Sequence, residues 1–134
     1  MRKEIVSNHK MMPIIIDTLK QNKMVSFTVK GTSMRPFFKD NHTIVQLKKF
    51  DTYHKGDVVL FQYENQVLLH RIIKIKDDKY MIQGDGAYRK EIVDKDAIYG
   101  KVISFIGQSP QYERNYKIWM ALRPFRRILL KIVK

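Results

Sequence analysis

The chain has 134 residues, of which 44% are hydrophobic and 29% charged, so it can fold as one domain and is not intrinsically disordered. It has no cysteine, which excludes disulfides and thiolate metal sites and fits a reducing compartment. The formal net charge is +13, and the last 27 residues carry seven basic and one acidic side chain. Such a basic end is typical of a surface that meets phosphate, on lipids or on nucleic acid.

Residues 1–24 form the first of three segments that we distinguish along the chain. The stretch "PIIIDTLKQN", residues 13–22, predicts a short amphipathic helix with Pro13 in its first turn and isoleucines and Leu19 on its apolar stripe. The longest apolar run in residues 1–24, "MMPIII", is too short for a signal-peptide core. Nowhere do roughly 18 apolar residues run together, so we expect no transmembrane span and no targeting segment.

Residues 25–107 form the second segment and change to a pattern of short strands and turns. Alternating or β-branched runs mark six predicted strands, in the stretches "MVSFTVK", "HTIVQLKKF", "GDVVLFQY", "VLLHRIIKIK", "YMIQG" and "IYGKVISFIG". Short strands at this spacing without intervening helices favour a mainly β fold, a coiled antiparallel sheet or partly open barrel, over a parallel α/β fold.

Residues 108–134 form a basic amphipathic tail. In "YKIWMALRPFRRILLKIVK" the apolar residues recur at helical spacing, and the arginines and lysines fall largely on other sides. Pro124 starts a second helical segment or kinks the first. A basic amphipathic helix that carries Trp119 is typical of an interfacial membrane anchor, and the alternative is that its apolar stripe packs on the sheet.

Ser33, in "GTSMRPFF", is the candidate nucleophile. A serine needs a neighbouring base to take its proton and donors aimed at the oxyanion that forms on the substrate carbonyl. The alternative is a turn hydroxyl that satisfies backbone groups. Gly31 permits an unusual backbone conformation beside it, Met34 can fill an apolar subsite, and Pro36 stiffens the exit from the turn. The residues predicted to contact substrate are Gly31, Thr32, Met34 and Pro36.

His70, in "VLLHRII", is the candidate base. On an alternating strand it shares a face with Leu68 and Ile72, while Arg71 points the other way. An imidazole has an ordinary pKa of about 6.5, which suits proton transfer near neutral pH. The alternative is a core histidine bonded to backbone. The histidines at 9, 42, 54 and 70 show no metal-ligand spacing, so no metal site is expected.

The base also needs an orienting group, and Asp85 in the turn "QGDG" is the first candidate. This turn would place the Asp85 carboxylate at a strand end, and Glu91 and Asp94 follow within reach as secondary acidic candidates. The alternative for Asp85 is an ordinary turn-forming aspartate. Asp57, in "KGDVVLF", is interpreted as such a structural residue.

Five motifs in order, "GTSMRP", "KGDVVLF", "LLHRII", "QGDG" and "YGKV", resemble the signal peptidase I superfamily, which includes the self-cleaving LexA-type repressors. The resemblance covers roughly residues 25–107. It implies a serine endopeptidase on a coiled antiparallel β scaffold, with Ser33 as nucleophile and backbone amides, chiefly that of Ser33, as oxyanion donors. It implies no cofactor, and substrate bound as an added β-strand with small residues before the cut.

The subtype that the motifs resemble most is the endoplasmic-reticulum and spore-former signal peptidase. His70 stands where common bacterial members have a lysine, and this subtype pairs serine with histidine, helped by an aspartate of the "GD" motif, here Asp85. The chain departs from the family in three respects. We expect residues 1–24 to hold neither the usual transmembrane anchor nor a DNA-binding domain, and Glu91 stands where the family has a second aspartate.

The sequence therefore predicts a serine endopeptidase that cleaves leader or signal segments from precursor peptides. We expect it in the cytoplasm or on the inner face of the membrane, with residues 117–134 on an anionic surface. One alternative is a non-catalytic basic β-barrel module that binds nucleic acid or peptides. The scattered aromatic residues do not favour nucleic acid. Another alternative keeps the fold and grips peptides without cleaving them.

Overall fold

The computed structural model describes residues 11–30 and 43–106, which contain one α-helix and seven strands. The elements are α1 (Met12–Lys20), β1 (Val25–Thr28), β2 (Ile44–Lys48), β3 (Val58–Tyr63), β4 (Gln66–Lys76), β5 (Lys79–Gln83), β6 (Lys90–Asp94) and β7 (Ile98–Ile106), with a 3-10 turn at Lys95–Ala97. The strands form one antiparallel sheet in the order β1-β2-β7-β3-β4-β5-β6. Within the described ranges the two outer strands do not pair with each other, so the sheet is open. The predicted mainly β, antiparallel fold is confirmed.

The helix α1 lies where the apolar stripe predicted it, with a proline at its start. Ile15 and Leu19, one helical turn apart, are buried in the same apolar cluster as strands β1 and β2, whereas Ile14 is 60% exposed. In the described residues no helix is both long enough and apolar enough to cross a membrane. The predicted tail helix, within 108–134, lies outside the described residues.

Two apolar clusters lie on the two faces of the sheet, and strand β3 contributes to both. Val58 and Leu60 point into the cluster that includes the helix, whereas Val59 and Phe61 point into a second cluster with strands β4 to β6. This alternation explains why "VVLF" is apolar without interruption, because both faces of the strand are covered. Strand β4, which pairs with β3, is therefore buried at its centre, and this is where His70 lies.

Strand β6 was not predicted from the sequence. Its buried positions are Glu91 and Val93, while Ile92 between them is 57% exposed. A strand that turns a carboxylate inward and an isoleucine outward breaks the usual alternation. The reason is a partner for the carboxylate on the inner face, which only the folded sheet supplies. The six strands that were predicted match β1 to β5 and β7 within two residues at each end.

Candidate active site

His70 lies at the middle of strand β4, opposite Val59 of β3, and is 6% exposed. Its Nδ1 is 2.7 Å from Oε1 of Glu91, which is 2% exposed. A carboxylate oxygen at this distance accepts a hydrogen bond, so the Nδ1 nitrogen carries the proton. The ring centroid of Phe61 lies 5.9 Å from that of the imidazole. His70 is thus a buried histidine with a carboxylate as hydrogen-bond partner and an aromatic neighbour.

Glu91 reaches His70 across the intervening strand β5. Its cross-strand partner on β5 is Ile82, and Ile82 in turn is opposite Ile72 of β4, two residues from His70. The three side chains therefore share the face of the sheet that carries the imidazole. Continuing the β4–β5 register by one residue sets Gly84 beside His70. Because glycine has no side chain, residue 84 places none between the carboxylate and the imidazole.

Asp85, the predicted orienting group, is bound to arginine in the structure. Its Oδ1 and Oδ2 accept hydrogen bonds from Nε and Nη2 of Arg71 at 2.9 and 2.7 Å, and Asp85 is 1% exposed. The carboxylate on Nδ1 of His70 is that of Glu91, which the sequence proposed only as a secondary candidate. Neighbouring residues of a strand point to opposite faces, and the two carboxylates divide between Arg71 and His70 accordingly.

Arg71 also joins the "KGD" turn to the strand that carries His70. Its Nη1 donates a hydrogen bond to the carbonyl of Gly56 at 2.8 Å. Gly56 has a φ of 99°, a conformation that favours glycine, and its N–H donates to Ile72 O. Asp57 accepts a hydrogen bond from the His54 N–H at 2.8 Å, consistent with the predicted structural role of this aspartate. The turn therefore lies firmly against β4.

The remaining predicted site residues are Asp94 and those of the stretch around Ser33. Asp94, a secondary acidic candidate, is on the exposed face of β6 and pairs with Lys79 at 2.5 Å. An odd number of positions separates it from Glu91 along the strand, so the two carboxylates point to opposite faces. Ser33 lies outside the described residues, together with the predicted substrate-contacting residues Gly31, Thr32, Met34 and Pro36. The approach of Ser33 to His70 stays a prediction.

The buried pair can perform one half of a serine hydrolase reaction. With its proton on Nδ1 held by Glu91, the imidazole of His70 carries its lone pair on Nε2, where it can accept a proton from a nucleophile. The carboxylate then stabilises the imidazolium that forms. In residues 11–30 and 43–106 no cluster of three or more potential ligands is arranged to hold a metal ion.

Sequence reasoning missed two contributors to this site. One is strand β6, whose inward carboxylate conceals the alternation. The other is Arg71, which lies in the otherwise apolar run "LLHRII" and is 2% exposed. An arginine in such a run almost never becomes buried without a carboxylate partner. From this signal, Asp85 could have been predicted as the partner of Arg71 and not of His70.

An open groove of about 560 Å³ lies beside the outer end of β6. It is lined by Gln62, Tyr63, Glu64, Ile92, Val93, Asp94, Asp96, Ala97 and Tyr99. These residues come from the ends of β3 and β6 and the start of β7. The groove therefore flanks the edge strand and does not lie over the imidazole.

The fold agrees with a comparison against protein families. No curated protein matches the chain. The family model described as Peptidase S24-like matches residues 2–103, which include the helix, the sheet through most of β7, and all four buried charged residues of the site. The match confirms the predicted LexA and signal peptidase superfamily at this level. The chain belongs to the Peptidase S24-like family.

Proposed function

We propose that this protein is a serine endopeptidase in which Ser33 is the nucleophile, His70 the general base and Glu91 the group that orients the base. The observation that carries the proposal is the buried hydrogen bond of 2.7 Å between His70 Nδ1 and Glu91 Oε1. A buried histidine with a carboxylate on one ring nitrogen is the base half of a serine triad. Membership of a peptidase family supports the assignment.

The proposed reaction assigns one step to each of these residues. Ser33 Oγ attacks the scissile carbonyl carbon while its proton moves to Nε2 of His70. Backbone N–H groups, chiefly that of Ser33, hold the oxyanion. The imidazolium then gives its proton to the leaving amine, and the peptide C–N bond breaks. Water, deprotonated in turn by His70, releases the acyl group from Ser33. Glu91 keeps its hydrogen bond to Nδ1 of His70 throughout.

Glu91 takes the orienting role in this proposal, and Asp85 takes a structural one. The two carboxylates are buried to the same degree, so burial does not distinguish them. Their hydrogen-bond partners do, because both oxygens of Asp85 are engaged by the Arg71 guanidinium. A bidentate arginine pair is a strong, geometrically fixed interaction. Asp85 then acts on the site by holding Arg71 and, through Arg71, the turn at Gly56.

For the substrate we propose precursor peptides from which a leader or signal segment is removed. The resemblance to Ser-His signal peptidases supports this choice, together with binding of the peptide as an added strand. The basic residues of 117–134 support a location in the cytoplasm or on the inner membrane face, where anionic lipid attracts positive charge.

The test is cleavage of a peptide library by the full chain, with products identified by mass spectrometry. We expect Ser33→Ala and His70→Ala to abolish cleavage without loss of the folded sheet, measured by circular dichroism. Cleavage by Ser33→Ala at the wild-type rate would exclude the proposed nucleophile. Peptides that bind the wild-type protein and stay intact would instead support a peptide-gripping domain without activity.

A further inference from the structure

The open groove beside β6 is acidic in a chain that is otherwise strongly basic. The whole chain has 26 basic and 13 acidic side chains, yet the charged residues described along the groove are all acidic, namely Glu64, Asp94 and Asp96. All three are exposed, and within the described ranges only Asp94 of the three has a basic partner, Lys79 at 2.5 Å. The groove therefore has carboxylates available for a positively charged ligand.

Two tyrosine rings line the same groove and already attract cations. The guanidinium carbon of Arg89 lies 5.9 Å from the ring centroid of Tyr63, and Nζ of Lys20 lies 6.0 Å from that of Tyr99. A cation within about 6 Å of a ring centroid is attracted by the electrons of the ring face. Ile92, which is 57% exposed, adds apolar surface to the groove. The lining therefore suits a ligand that combines positive charge with an apolar side chain.

Hydrogen bonds fix one side of the groove before any ligand arrives. The Tyr99 hydroxyl donates to Oε1 of Gln62 at 3.1 Å, and Nε2 of Gln62 donates to the Glu64 carbonyl at 2.8 Å. These two bonds join the start of β7 to the end of β3 and to the turn that follows it. A surface held in this way loses little conformational entropy when a ligand binds.

The chain itself contains a short segment of complementary composition. The stretch "RPFRR", residues 123–127, has three arginines and a phenylalanine and no acidic residue. Arginine binds carboxylates through its planar fork and also stacks on aromatic rings. We propose that residues 123–127 dock in the groove of their own chain, with arginines on Glu64 and Asp96 and with Phe125 against Ile92. The groove volume of about 560 Å³ lies within the range typical of ligand pockets, about 300–1,000 Å³, so it can take a few of these side chains.

The chain is long enough to bring this segment back to the groove. Tyr99 lines the groove near the start of β7, and the strand ends at Ile106, about 24 Å further along at about 3.4 Å per residue. Residues 107–122, sixteen in all, can extend over at most about 53 Å. The segment can therefore reach the groove of its own sheet without a second copy.

A basic segment of another molecule could enter the same groove, which is the competing interpretation. The chain's own segment has an advantage, because linkage makes its binding intramolecular, with a local concentration on the order of millimolar. A free peptide must reach a similar concentration to compete. The groove is therefore assigned to residues 123–127 of the same chain.

Docking has a consequence for binding at a membrane. The arginines that meet the groove belong to the basic tail that we expect on anionic lipid. Since the same guanidinium groups cannot serve both surfaces, docking weakens lipid binding and lipid weakens docking, by the same factor. The inference does not depend on the proposed function, since it concerns the tail and not cleavage.

The first test uses Trp119, the one tryptophan of the full chain, to locate the tail. The chain has no cysteine, so Asn65→Cys puts a single nitroxide label at the rim of the groove, beside Glu64. Met24→Cys, at another exposed residue just before β1 and the opposite edge of the sheet, is the matched control. A nitroxide quenches tryptophan emission at short range. We expect stronger quenching from position 65 than from position 24 in dilute solution.

Charge reversal in the labelled chains tests which residues make the contact. Arg126→Glu with Arg127→Glu, or Glu64→Lys with Asp96→Lys, should each remove the difference between the two labels, because like charges then face each other. All four substitutions together should restore the difference, and this recovery excludes misfolding as the cause of the loss. Equal quenching from both labels without any reversal, or no recovery in the combined variant, overturns the proposal. Quenching from position 65 that rises with protein concentration also overturns it, since the groove then holds the tail of another copy.

The second test measures the competition with lipid in the unlabelled full chain. Glu64→Gln with Asp96→Asn removes two groove charges and releases the tail. We expect this variant to bind vesicles of phosphatidylserine and phosphatidylcholine roughly three- to tenfold more tightly than wild type, since two exposed ion pairs are lost. Asp77→Asn with Asp78→Asn, in the exposed turn between β4 and β5, makes the same change of net charge and should gain less. Equal gains in the two variants, or no gain in the first, overturn the proposal.

Discussion

At the scale of single residues, two buried hydrogen-bonded pairs of side chains define the centre of this protein. His70 with Glu91 and Arg71 with Asp85 use neighbouring residues of β4, and all four residues are at most 6% exposed. A buried charge is costly unless it is paired and hydrogen-bonded, so removing one partner leaves the other in an unfavourable place. Both pairs are buried, but we propose a catalytic role for His70 with Glu91 and a structural role for Arg71 with Asp85. Substitutions can distinguish these two roles.

Glu91→Gln and Asp85→Asn form a matched pair of neutralising substitutions. We expect Glu91→Gln to lower kcat/KM by roughly 10²–10⁴-fold, because the imidazolium loses its carboxylate. We expect Asp85→Asn to act mainly on the free energy of unfolding, lowering it by about 3–5 kcal/mol, since Arg71 is left without its partner. Peptide cleavage and urea unfolding of both variants measure the two effects. The reverse pattern would return the orienting role to Asp85.

Because Tyr53 is buried, we expect the free energy of unfolding to fall at alkaline pH. It is 3% exposed, and burial raises the pKa of its phenol above the ordinary value, while its Oη accepts a hydrogen bond from the Phe50 N–H. Because the folded chain keeps the proton longer, the stabilisation is complete below the unfolded pKa of about 10 and is lost as pH rises through the folded value. We expect urea unfolding between about pH 9 and 11 to show this loss. Tyr53→Phe should reduce this dependence of the unfolding free energy on pH, although it also removes the hydrogen bond from the Phe50 N–H. An unchanged dependence on pH would assign the loss of stability to other groups.

At the scale of elements, local pattern predicts a strand well when its inner face is apolar. The apolar alternation of β1 and the uninterrupted run of β3 identify them directly, and the helix follows from Ile15 and Leu19 one turn apart. Strand β6 escapes this reasoning, because Glu91 occupies the place of an apolar residue. Its inward carboxylate makes sense only with His70 two strands away.

The contact between α1 and β7 gives a prediction at this scale. A methyl group added at Gly100 would lie 2.9 Å from the Lys48 carbonyl oxygen and 3.1 Å from Cδ2 of Leu19. We expect Gly100→Ala to lower the free energy of unfolding by about 1–3 kcal/mol through overpacking, and Leu19→Ala to lower it by about 2–5 kcal/mol through a cavity. In the double variant the loss should be smaller than additive, because one of the two close contacts is gone. Additive losses in denaturant unfolding would indicate that the Lys48 backbone alone limits this position.

At the scale of the whole molecule, positive charge is concentrated at the C-terminal end of the chain. Residues 25–107 carry 14 basic and 10 acidic side chains, whereas 108–134 carry seven and one. The described part of the chain therefore contributes little of the excess positive charge. A phosphate-bearing surface is consequently expected to act on the tail and to leave the sheet and its buried pairs free for their own chemistry.

Vesicle binding tests this distribution of charge. We expect the full chain to bind vesicles that contain anionic lipid, and raised salt to weaken binding. Replacing Arg126, Arg127 and Lys131 with glutamine should weaken binding roughly a hundredfold, at about 1 kcal/mol for each charge. The same replacement at Lys74, Lys76 and Lys79, exposed on the sheet, is the control. Equal losses in the two triple variants would show that net charge, and not the tail, governs binding.

The sequence by itself determined the class of fold, the strand that carries His70 and the superfamily. Each of these rests on short-range information, such as alternation along one strand or the order of motifs in the chain. Only the tertiary structure decided which carboxylate meets the imidazole. Asp85 and Glu91 are six positions apart and both acidic, and sequence distance does not separate them. They are separated by the register of β4, β5 and β6, which sets Glu91 on the face of His70 and leaves Asp85 to Arg71, because a side chain meets only those that share its face of the sheet.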